Sequence, residues 1–407
     1  MIILLWACTV LGAGSALIGL LVLRRVRRIS SCAPTARQGV DLPAPDGGWP
    51  SVCIVIPAHN EQGVIGELVR SLVAQEYPGE LGVVFALDRC TDQTEEVVER
   101  EADGSDRVEI VKIAGCPEGW AGKTNAAHTG VVASEKASGA DVLIFSDADT
   151  TWDPRCARAC VSLLRHRELD LLSLLSTLRF EGTWEIRSQA VAASELIRRH
   201  PINKVNRAEK GNAFANGQFL CFERSMYDRI GGHEGVRDDL LEDLAFARKV
   251  QRVEGTPGRW GVFLADGMLR CRMYESAAQF RTGWKRIYTE SSRRSPVRLR
   301  KSARRMLTIW LAPMVFAAVA AVVGIIAMIA APGWLAGVTL GAGVIASAIW
   351  LVAVGQVCAM QSAPLRSVLA WPLGTMVVAS ILYEAARDLE RGVPIVWGGK
   401  EYRLEAM

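Results

Sequence analysis

The segment Val142-Leu-Ile-Phe-Ser-Asp-Ala-Asp149 joins a short apolar run to two acidic residues that are separated by one residue. A short apolar run with polar flanks predicts a buried strand. Two carboxylates that follow a strand and approach one ligand suit a hard divalent cation, which also binds phosphate oxygens. The alternative for Asp147 and Asp149 is a turn or a helix cap, since both are common roles of acidic residues at strand ends.

Three more apolar runs precede this segment and alternate with helical patterns. The runs are Val52–Ile56, Gly82–Leu87 and Val108–Ile113, and the helical patterns lie near residues 62–75, 92–103 and 123–137. This alternation predicts an α/β fold with a mostly parallel sheet. Such sheets bind ligands at the carboxyl ends of their strands, so the informative residues should follow the strands.

Polar clusters do follow three of the predicted strands. Pro57-Ala-His-Asn-Glu61 follows the first strand, Asp88-Arg-Cys-Thr-Asp92 the second and Asp147-Ala-Asp149 the fourth. Gly122-Lys-Thr124 resembles the end of a phosphate-binding loop, but Pro117 stands where that motif needs its first glycine. Its lysine, at a helix start, can still approach a diphosphate. This convergence favours the cation site over the turn.

A second acidic cluster lies further along the chain. It consists of Asp238, Asp239, Glu242 and Asp243, after the turn Gly231-Gly-His233. Asp238 and Asp239 fit a solvated helix N-terminus, where acidic side chains interact favourably with the helix dipole. Asp243 precedes the apolar run Leu244–Ala247, and partial burial there would raise its pKa towards that of a general base.

The composition indicates a membrane protein. Half of the 407 residues are hydrophobic and 22% are charged, a more apolar composition than is typical of a wholly soluble enzyme. The formal net charge of +4 is too small to indicate nucleic-acid binding. The ten cysteines include no CxxC pair, so neither a zinc site nor a disulfide framework is suggested.

The first apolar segment is an uncharged run, Ile2–Leu23, about long enough to cross a bilayer. It is followed at once by Arg24, Arg25, Arg27 and Arg28. By the positive-inside rule this places residue 29 onward in the cytoplasm. The alternative is a cleaved signal peptide, but there the basic residues precede the apolar run.

A second uncharged segment, Met306–Leu365, is long enough for two spanning helices that turn at Pro332 and Gly333. Residues 293–305 before it are rich in arginine and contain no acid, which predicts a cytoplasmic side and contact with anionic headgroups. Nucleic-acid binding is the rival interpretation, and the adjacent span argues against it. A third stretch, Ser367–Tyr383, is short for a span, and we prefer a re-entrant or interfacial segment.

Taken together, the motifs resemble those of family 2 glycosyltransferases with the GT-A fold. The resemblance covers about residues 50–300 and rests on the ordered motifs PAHNE, DRCTDQT, GWAGKTNA, DAD, NGQ and ED. The motifs Asn216-Gly-Gln218, Gly231-Gly-His233, Glu242-Asp-Leu-Ala245, Arg272-Met-Tyr274 and Gly283-Trp-Lys285 are most similar to those of the membrane enzymes that glycosylate carotenoid acids of the diaponeurosporenoate type. Hopanoid-associated and ceramide glucosyltransferase-like enzymes resemble the chain less closely.

The resemblance implies a GT-A nucleotide-diphospho-sugar transferase fold and an inverting hexosyl transfer. The donor would be a nucleotide sugar, a UDP-sugar, and the acceptor a lipid such as a carotenoid or hopanoid. Mg²⁺ or Mn²⁺ would be bound by Asp149 and Asp147. The nucleotide sugar would be bound by Pro57, Asn60, Glu61, Asp88, Lys123, Asp147, Asn216 and Gln218. Asp243, beside Glu242, would deprotonate an acceptor hydroxyl or orient an acceptor carboxylate.

Two positions depart from the family's pattern. Leu87 stands where many members carry the first of two consecutive acids, so Asp88 alone would serve the base end of the nucleotide. Processive synthases carry QxxRW, whereas in this chain Gln279 lies five residues before Trp284 and Gly283 replaces the arginine. This second departure argues against a polymerase.

Residues 279–288 are expected to form an interfacial helix beside the acceptor entry. Gln279, Trp284 and Lys285 would lie at this interface, with Trp284 among the lipids. The alternative is that the aromatic side chains of this helix only pack against the protein.

The predicted organisation has six parts. They are an anchor (1–28), a linker (29–50), a catalytic domain (51–292), a basic juxtamembrane segment (293–305), a transmembrane hairpin (306–365) and a third apolar segment with the tail (366–407). We expect a multi-pass protein of the cytoplasmic membrane whose catalytic domain faces the cytoplasm. A glycosyltransferase acting on a polyprenyl phosphate, or a non-catalytic membrane scaffold, are the alternatives to lipid glycosylation.

Overall fold

The computed structural model describes residues 1–206, 213–239, 241–255, 257–397, 400–402 and 404. The chain divides into two compact units that alternate along the sequence. The sheet unit comprises residues 33–179 and 200–273, and the helical unit comprises residues 1–32, 180–199 and 274–407. Residues 180–199 and 274–292, which the sequence-based division placed in the catalytic domain, therefore group with the apolar helices.

Strands and helices alternate through most of the sheet unit, whereas long helices dominate the helical unit. The strands are β1 (Val52–Ala58), β2 (Leu81–Asp88), β3 (Val108–Ile113), β4 (Val142–Ser146), β5 (Thr150–Trp152), β6 (Leu171–Leu175), β7 (Thr177–Leu178), β8 (Phe219–Glu223), β9 (Trp260–Leu264), β10 (Leu269–Cys271), β11 (Ile395–Trp397) and β12 (Lys400–Tyr402). The helices are α1 (Ile2–Cys32), α2 (Ile65–Val73), α3 (Thr94–Ala102), α4 (Gly122–Ala133), α5 (Glu135–Ser138), α6 (Cys156–His166), α7 (Thr183–Arg199), α8 (Ile202–Val205), α9 (Arg224–Arg229), α10 (Glu242–Arg252), α11 (Ala277–Ser291), α12 (Pro296–Arg305), α13 (Ala312–Ala330), α14 (Trp334–Met360) and α15 (Arg366–Glu390).

The main sheet of the sheet unit has the strand order β3-β2-β1-β4-β8-β6-β9. The first four strands are parallel, β8 is antiparallel to both β4 and β6, and β9 is parallel to β6. Every residue of β1, β2 and β4 is buried, as in parallel sheets that are covered on both faces. The predicted mixed, mostly parallel sheet is confirmed.

A smaller sheet, β5-β10-β7, places residues that are distant in sequence beside the acidic turn. β10 pairs antiparallel with β5, and Cys271 lies opposite Thr150 in this register. Because Thr150 directly follows Asp149, the pairing brings Cys271 to the acidic turn.

The predicted linker, residues 29–50, is partly structured. α1 continues through Cys32, and the Pro34 carbonyl accepts a hydrogen bond from the Leu264 amide at 2.9 Å. Gly39 packs closely on α6, since a Cβ at this position would lie 2.0 Å from the Ala159 carbonyl oxygen. Residues 33–40 therefore form part of the sheet unit rather than a free connection.

Four helices of the described residues are long and apolar enough to cross a membrane. They are Ile2–Cys32, Pro296–Ala330, which contains a π-helical turn at Met306–Leu311, Trp334–Met360 and Arg366–Glu390. The segment predicted to form a transmembrane hairpin contains α13 and α14, which are joined at residues 331–333. α15 is one unbroken helix, so the predicted third segment is not a re-entrant loop. Pro372 removes one helical hydrogen bond, but α15 packs closely on α7 at Gly374, where a Cβ would lie 1.9 Å from the Arg187 carbonyl oxygen.

Small residues allow the apolar helices to pack closely. A Cβ on Gly343 of α14 would lie 2.2 Å from the Ala321 backbone nitrogen of α13, and a Cβ on Gly324 would lie 2.5 Å from the Cα atom of Leu340. Close approach through small residues is a common way for membrane helices to associate.

We predict that Gly343→Ala destabilises the helical unit by about 1–3 kcal/mol, because the added methyl group has no space between the backbones. Gly341→Ala is the matched control, since its Cβ would have no atom within 4 Å. Unfolding of the full chain in detergent, followed by tryptophan fluorescence, measures both effects. Equal stability of the two variants would contradict this account of the packing.

Candidate active site

The loops that follow β1 and β2 are bound to each other. His59 Nδ1 donates to the Asp88 carbonyl at 2.6 Å, and the Asn60 side-chain oxygen accepts from the Thr91 amide at 2.8 Å. The Glu61 amide donates to the Thr94 hydroxyl at 2.8 Å. The predicted residues Asn60, Glu61 and Asp88 therefore lie at one edge of the sheet, while Pro57 remains inside β1 opposite Ala86.

Asp88 is paired with its sequence neighbour. Its two carboxylate oxygens accept from Nε and Nη2 of Arg89 at 2.8 and 2.7 Å. α4 begins beside this pair, since a Cβ on Gly122 would lie 3.4 Å from both Asp88 Oδ2 and Arg89 Nη2. The start of the helix that carries Lys123 thus lies at the ends of the strands.

Hydrogen bonds fix the acidic turn after β4. The Thr150 hydroxyl donates to the Asp147 carbonyl at 2.8 Å and lies 3.0 Å from the Ser146 hydroxyl. Ser146 Oγ also donates to the Gln218 carbonyl at 2.8 Å. These contacts hold the backbone of the turn, so the carboxylates of Asp147 and Asp149 are positioned before any ligand binds.

Asp149 has a carboxylate oxygen without a protein partner. Oδ2 accepts from the Cys271 thiol at 3.4 Å, whereas Oδ1 is buried and has no hydrogen-bond partner within the described part of the chain. Burial raises the pKa of Asp149 to about 7, and the nearby Asp147 carboxylate adds to this rise. A buried carboxylate that lacks a donor is what a site for a divalent cation requires.

The protein ligands of such a cation would be few. Among the described residues, no three histidine, cysteine or acidic side chains are grouped closely enough to hold a metal ion. Asp147 and Asp149 would therefore supply only part of the coordination. Mg²⁺ typically completes its coordination with water and substrate phosphates, which fits a site of this kind.

Lys123 lies between two carboxylates. Its Nζ is 2.6 Å from Asp147 Oδ1 and 2.7 Å from Glu242 Oε1, and it donates to the Gly217 carbonyl at 3.5 Å. Burial alone would lower the pKa of Lys123, but the two carboxylates outweigh burial and raise it above its ordinary value. The lysine is thus held as a cation beside the acidic turn.

Asp243 lies in the first turn of α10 and is held by backbone amides. Oδ2 accepts from the Gly217 amide at 2.8 Å, and Oδ1 accepts from the Leu244 amide at 2.7 Å. Burial raises the pKa of Asp243 to about 6, with a further rise from Glu242, although Lys123 and the two amides oppose it. A carboxylate with a pKa near neutrality suits a general base.

Gly217 allows these groups to converge. A Cβ at this position would lie 3.2 Å from Glu242 Oε1, 3.3 Å from Lys123 Nζ and 3.4 Å from Asp243 Oδ2. The structure therefore brings Lys123, Glu242 and Asp243 together around one residue that has no side chain.

Asn216 and Gln218 are engaged with the protein. The Asn216 side-chain nitrogen donates to the Leu174 carbonyl at 2.8 Å. The Gln218 side-chain nitrogen donates to Cys271 Sγ at 2.9 Å, and its oxygen accepts from Ser176. Gln218 therefore connects to Asp149 through Cys271, and Asn216 binds the backbone of β6.

Trp284 contradicts one prediction. It belongs to the helical unit and is only 2% exposed, with Nε1 3.5 Å from the Gln189 side-chain oxygen of α7. Its ring stacks beside Phe280 and Tyr288. Trp284 is therefore a packing residue and does not lie among lipids.

The other two residues of that predicted interface are also engaged within the helical unit. Gln279 lies in the first turn of α11, where its backbone amide donates to the Ser276 hydroxyl at 3.2 Å and its side-chain oxygen accepts from the Glu275 amide at 2.9 Å. Lys285 pairs with Asp388 of α15 at 2.6 Å.

Two residues of the site were not identified as candidates in the sequence. Arg89 pairs with Asp88, and its position directly after Asp88 was the available signal. Cys271 contacts Asp149 but is 122 residues away in the chain. Only the pairing of β5 with β10 brings them together, and no local pattern in the sequence indicates that pairing.

Comparison with known proteins agrees with this arrangement. Residues 53–231 match the glycosyl transferase family 2 profile. The chain is 27% identical over 239 residues to 4,4'-diaponeurosporenoate glycosyltransferase of Staphylococcus haemolyticus, a match covering 58% of this chain and 60% of the relative. It is 24% identical over 241 residues to beta-monoglucosyldiacylglycerol synthase of Synechocystis, covering 58% of this chain and 47% of the relative.

A solved structure shares the fold. The mannosyltransferase PcManGT of Pyrobaculum calidifontis, in complex with GDP-Man and Mn²⁺, superposes with a TM-score of 0.50 at 18% identity, covering 93% of this chain and 99% of that one. The fold of the sheet unit is accordingly of the GT-A type. The chain spans about half to three fifths of the length of the two sequence relatives.

Proposed function

We propose that the protein transfers a sugar from a UDP-sugar to a lipid-like acceptor, because residues 53–231 match the glycosyl transferase family 2 profile. The observation that best supports this is the convergence of Lys123, Glu242 and Asp243 around Gly217. Lys123 also pairs with Asp147, and one buried oxygen of Asp149 has no hydrogen-bond partner among the described residues. The transfer requires carboxylates that bind a cation, an ammonium group that pairs with the diphosphate and a carboxylate that accepts a proton.

On the donor side, Asp147 and Asp149 would bind Mg²⁺ or Mn²⁺. The bound cation would neutralise the charge of the departing nucleoside diphosphate. The Mn²⁺ in the Pyrobaculum mannosyltransferase supports a divalent cation. We place the nucleoside along the loops after β1 and β2, where Asn60, Glu61 and Asp88 lie.

On the acceptor side, Asp243 would act as the general base. The acceptor hydroxyl oxygen would bond to the anomeric carbon as its proton passes to the Asp243 carboxylate. The bond from that carbon to the diphosphate oxygen would break, releasing UDP with the bonding electron pair. A single displacement of this kind inverts the anomeric centre. If the acceptor is a carboxylate, no proton moves and Asp243 would only orient it.

A lipid-like acceptor is supported by two independent observations. The two sequence relatives are a diaponeurosporenoate glycosyltransferase and a monoglucosyldiacylglycerol synthase. The chain also has four helices that are long and apolar enough to cross a membrane. With arginines directly after the first span and the basic segment 293–305 before the hairpin, we place the sheet unit on the cytoplasmic side of a multi-pass protein.

The test uses the purified full chain in lipid nanodiscs, supplied with UDP-glucose or other UDP-sugars, Mn²⁺ and lipid extracts. We expect release of UDP together with a glycosylated lipid that mass spectrometry identifies. If a polyprenyl phosphate sugar were the only product, the enzyme would be a polyprenyl phosphate glycosyltransferase and the proposed lipid acceptor would be wrong. If none of the UDP-sugars gave UDP or a glycosylated product, the result would refute the proposed activity and favour the non-catalytic scaffold.

The pKa of Asp243 predicts the pH dependence. The base acts when ionised, so kcat/KM at saturating Mn²⁺ should fall about tenfold per pH unit below about pH 6. The decrease occurs on the acid side because burial raises the pKa of this carboxyl. The residual activity of Asp243→Asn should lack this acid limb. A wild-type profile that is flat from about pH 5 to 7 would exclude Asp243 as the base.

A further inference from the structure

Lys123 occupies the position of a cation in this site. Its ammonium nitrogen lies 2.6 Å from Asp147, the carboxylate that we assign to the metal together with Asp149. The same nitrogen lies 2.7 Å from Glu242, which precedes the proposed base. One side chain therefore binds both the donor-side and the acceptor-side carboxylates.

The surroundings favour this position of the lysine. The Asp147 side chain is 29% exposed and that of Glu242 only 10%, so both charges are partly removed from water. Carboxylates with little access to water require a nearby positive charge. The Gly217 carbonyl also accepts from the ammonium at 3.5 Å, and the missing side chain at this position leaves room for the lysine.

A divalent cation on Asp147 would compete with this ammonium. Both are positive, and two cations cannot share one carboxylate oxygen at close range without strong repulsion. The lysine side chain is 37% exposed and has a long flexible stem, so it can move to another anion. The diphosphate of the donor is such an anion, and it arrives with the metal.

We propose that Lys123 is an internal counter-cation of the donor site, which keeps the metal from binding alone and releases Asp147 and Glu242 when the nucleoside diphosphate arrives. This inference rests on the proposed function, because it requires a donor diphosphate. Metal and nucleotide then bind with strong positive cooperativity. Glu242 loses its lysine only after the donor is in place, so the acceptor side of the site changes charge in response to the donor.

The test measures binding of Mn²⁺ to the full chain in detergent, with and without UDP, through the electron paramagnetic resonance signal of free Mn²⁺. Lys123→Gln should bind Mn²⁺ alone more tightly than the wild type, by roughly 5- to 150-fold. The same variant should bind UDP more weakly at saturating Mn²⁺, because the diphosphate loses its lysine. A lysine that served only the diphosphate would leave the affinity for Mn²⁺ alone unchanged, and that result would overturn the proposal.

Lys112→Gln is the matched control. It removes a lysine that pairs with Glu95 at 2.5 Å on the surface of the sheet unit, and it should leave both affinities unchanged. If Lys123→Gln does not fold because Glu242 loses its ion pair with Lys123, Glu242→Gln is compared with the double variant Glu242→Gln/Lys123→Gln. The double variant should bind Mn²⁺ alone more tightly, and equal affinity would overturn the proposal.

The outcome is separable from that of the proposed function. If the wild-type chain bound Mn²⁺ and UDP but transferred no sugar, the proposed function would be refuted. The competition between Lys123 and Mn²⁺ for Asp147 could still be measured. Transfer by the wild type together with unchanged Mn²⁺ affinity in Lys123→Gln would refute only the role of the lysine. If the wild-type chain bound no Mn²⁺ even with UDP, the metal assignment to Asp147 and Asp149 would be refuted, and this inference with it.

Discussion

Asp149→Ala is expected to lose sugar transfer and metal-dependent UDP binding together, with a fall in kcat/KM on the order of 10²–10³-fold or more. The reason is that the turn after β4 offers two carboxylates, and the Asp149 oxygen without a partner is the atom best placed for a cation. Without it, the departing diphosphate loses most of its counter-charge. Calorimetric titration of UDP with and without Mn²⁺, alongside the transfer assay, measures both losses.

The same variant should remain folded. Metal-free Asp149→Ala should be at least as stable as the wild type, because it removes a buried carboxyl group whose Oδ1 atom has no hydrogen-bond donor among the described residues. Asp106→Ala, which removes an exposed acid of the sheet unit, is the control for the change in net charge. Full wild-type activity in excess chelator, or near-normal transfer by Asp149→Ala, would refute the metal assignment.

Asp243→Asn is expected to reduce kcat on the order of 10²–10⁴-fold while leaving the affinity for UDP and Mn²⁺ nearly unchanged. The substitution keeps the shape of the side chain but removes the proton acceptor. In the wild type, the backbone amides of Gly217 and Leu244 each donate to a different carboxylate oxygen of Asp243. The asparagine side chain has only one oxygen, so one of the two amides loses its acceptor. A stability loss of about 1–3 kcal/mol should accompany the change.

Asp238→Asn is the matched control for that variant. Asp238 is exposed and precedes the same helix, so its substitution should change neither transfer nor stability. Single-turnover rates with donor prebound distinguish the chemical step from donor binding. If Asp243→Asn turned over within a factor of a few of the wild type, another group would accept the proton.

Much of the sheet unit could be predicted from its sequence. β1, β2 and β4 are buried along their whole length, so their apolar runs are continuous and end where polar residues begin. Those polar residues include Asp88 and the Asp147–Asp149 turn, because parallel strands end at a common edge. Local sequence therefore indicates these strands and the acidic residues that follow them.

The errors and omissions concern contacts between distant segments. An aromatic residue on an amphipathic helix has the same pattern whether it faces lipid or protein, so Trp284 was placed among lipids although it packs on Gln189 of α7. Cys271 reaches Asp149 only through a strand pairing. The pairing of Lys123 with both Asp147 and Glu242 likewise depends on residues that are 24 and 119 positions away from it.

The division of the helical unit into three separate stretches of chain has a consequence for its synthesis. α1 leaves the ribosome first, but its partners α13 and α14 begin only at Ala312 and Trp334. At about 5–20 residues per second, roughly 15–60 s separate the synthesis of α1 from that of α13. During this time the close-packing face of α1, with Gly12 and Gly19, must be shielded by lipid or an insertion factor.

α7 faces a similar delay before α15 is made. The sheet unit, by contrast, is complete at residue 273 and can fold while the last helices are still being synthesised. A chain that stops after Met273 but before Arg366 therefore emerges with a finished sheet unit, whereas α7 lacks α15 and remains a target for quality-control proteases.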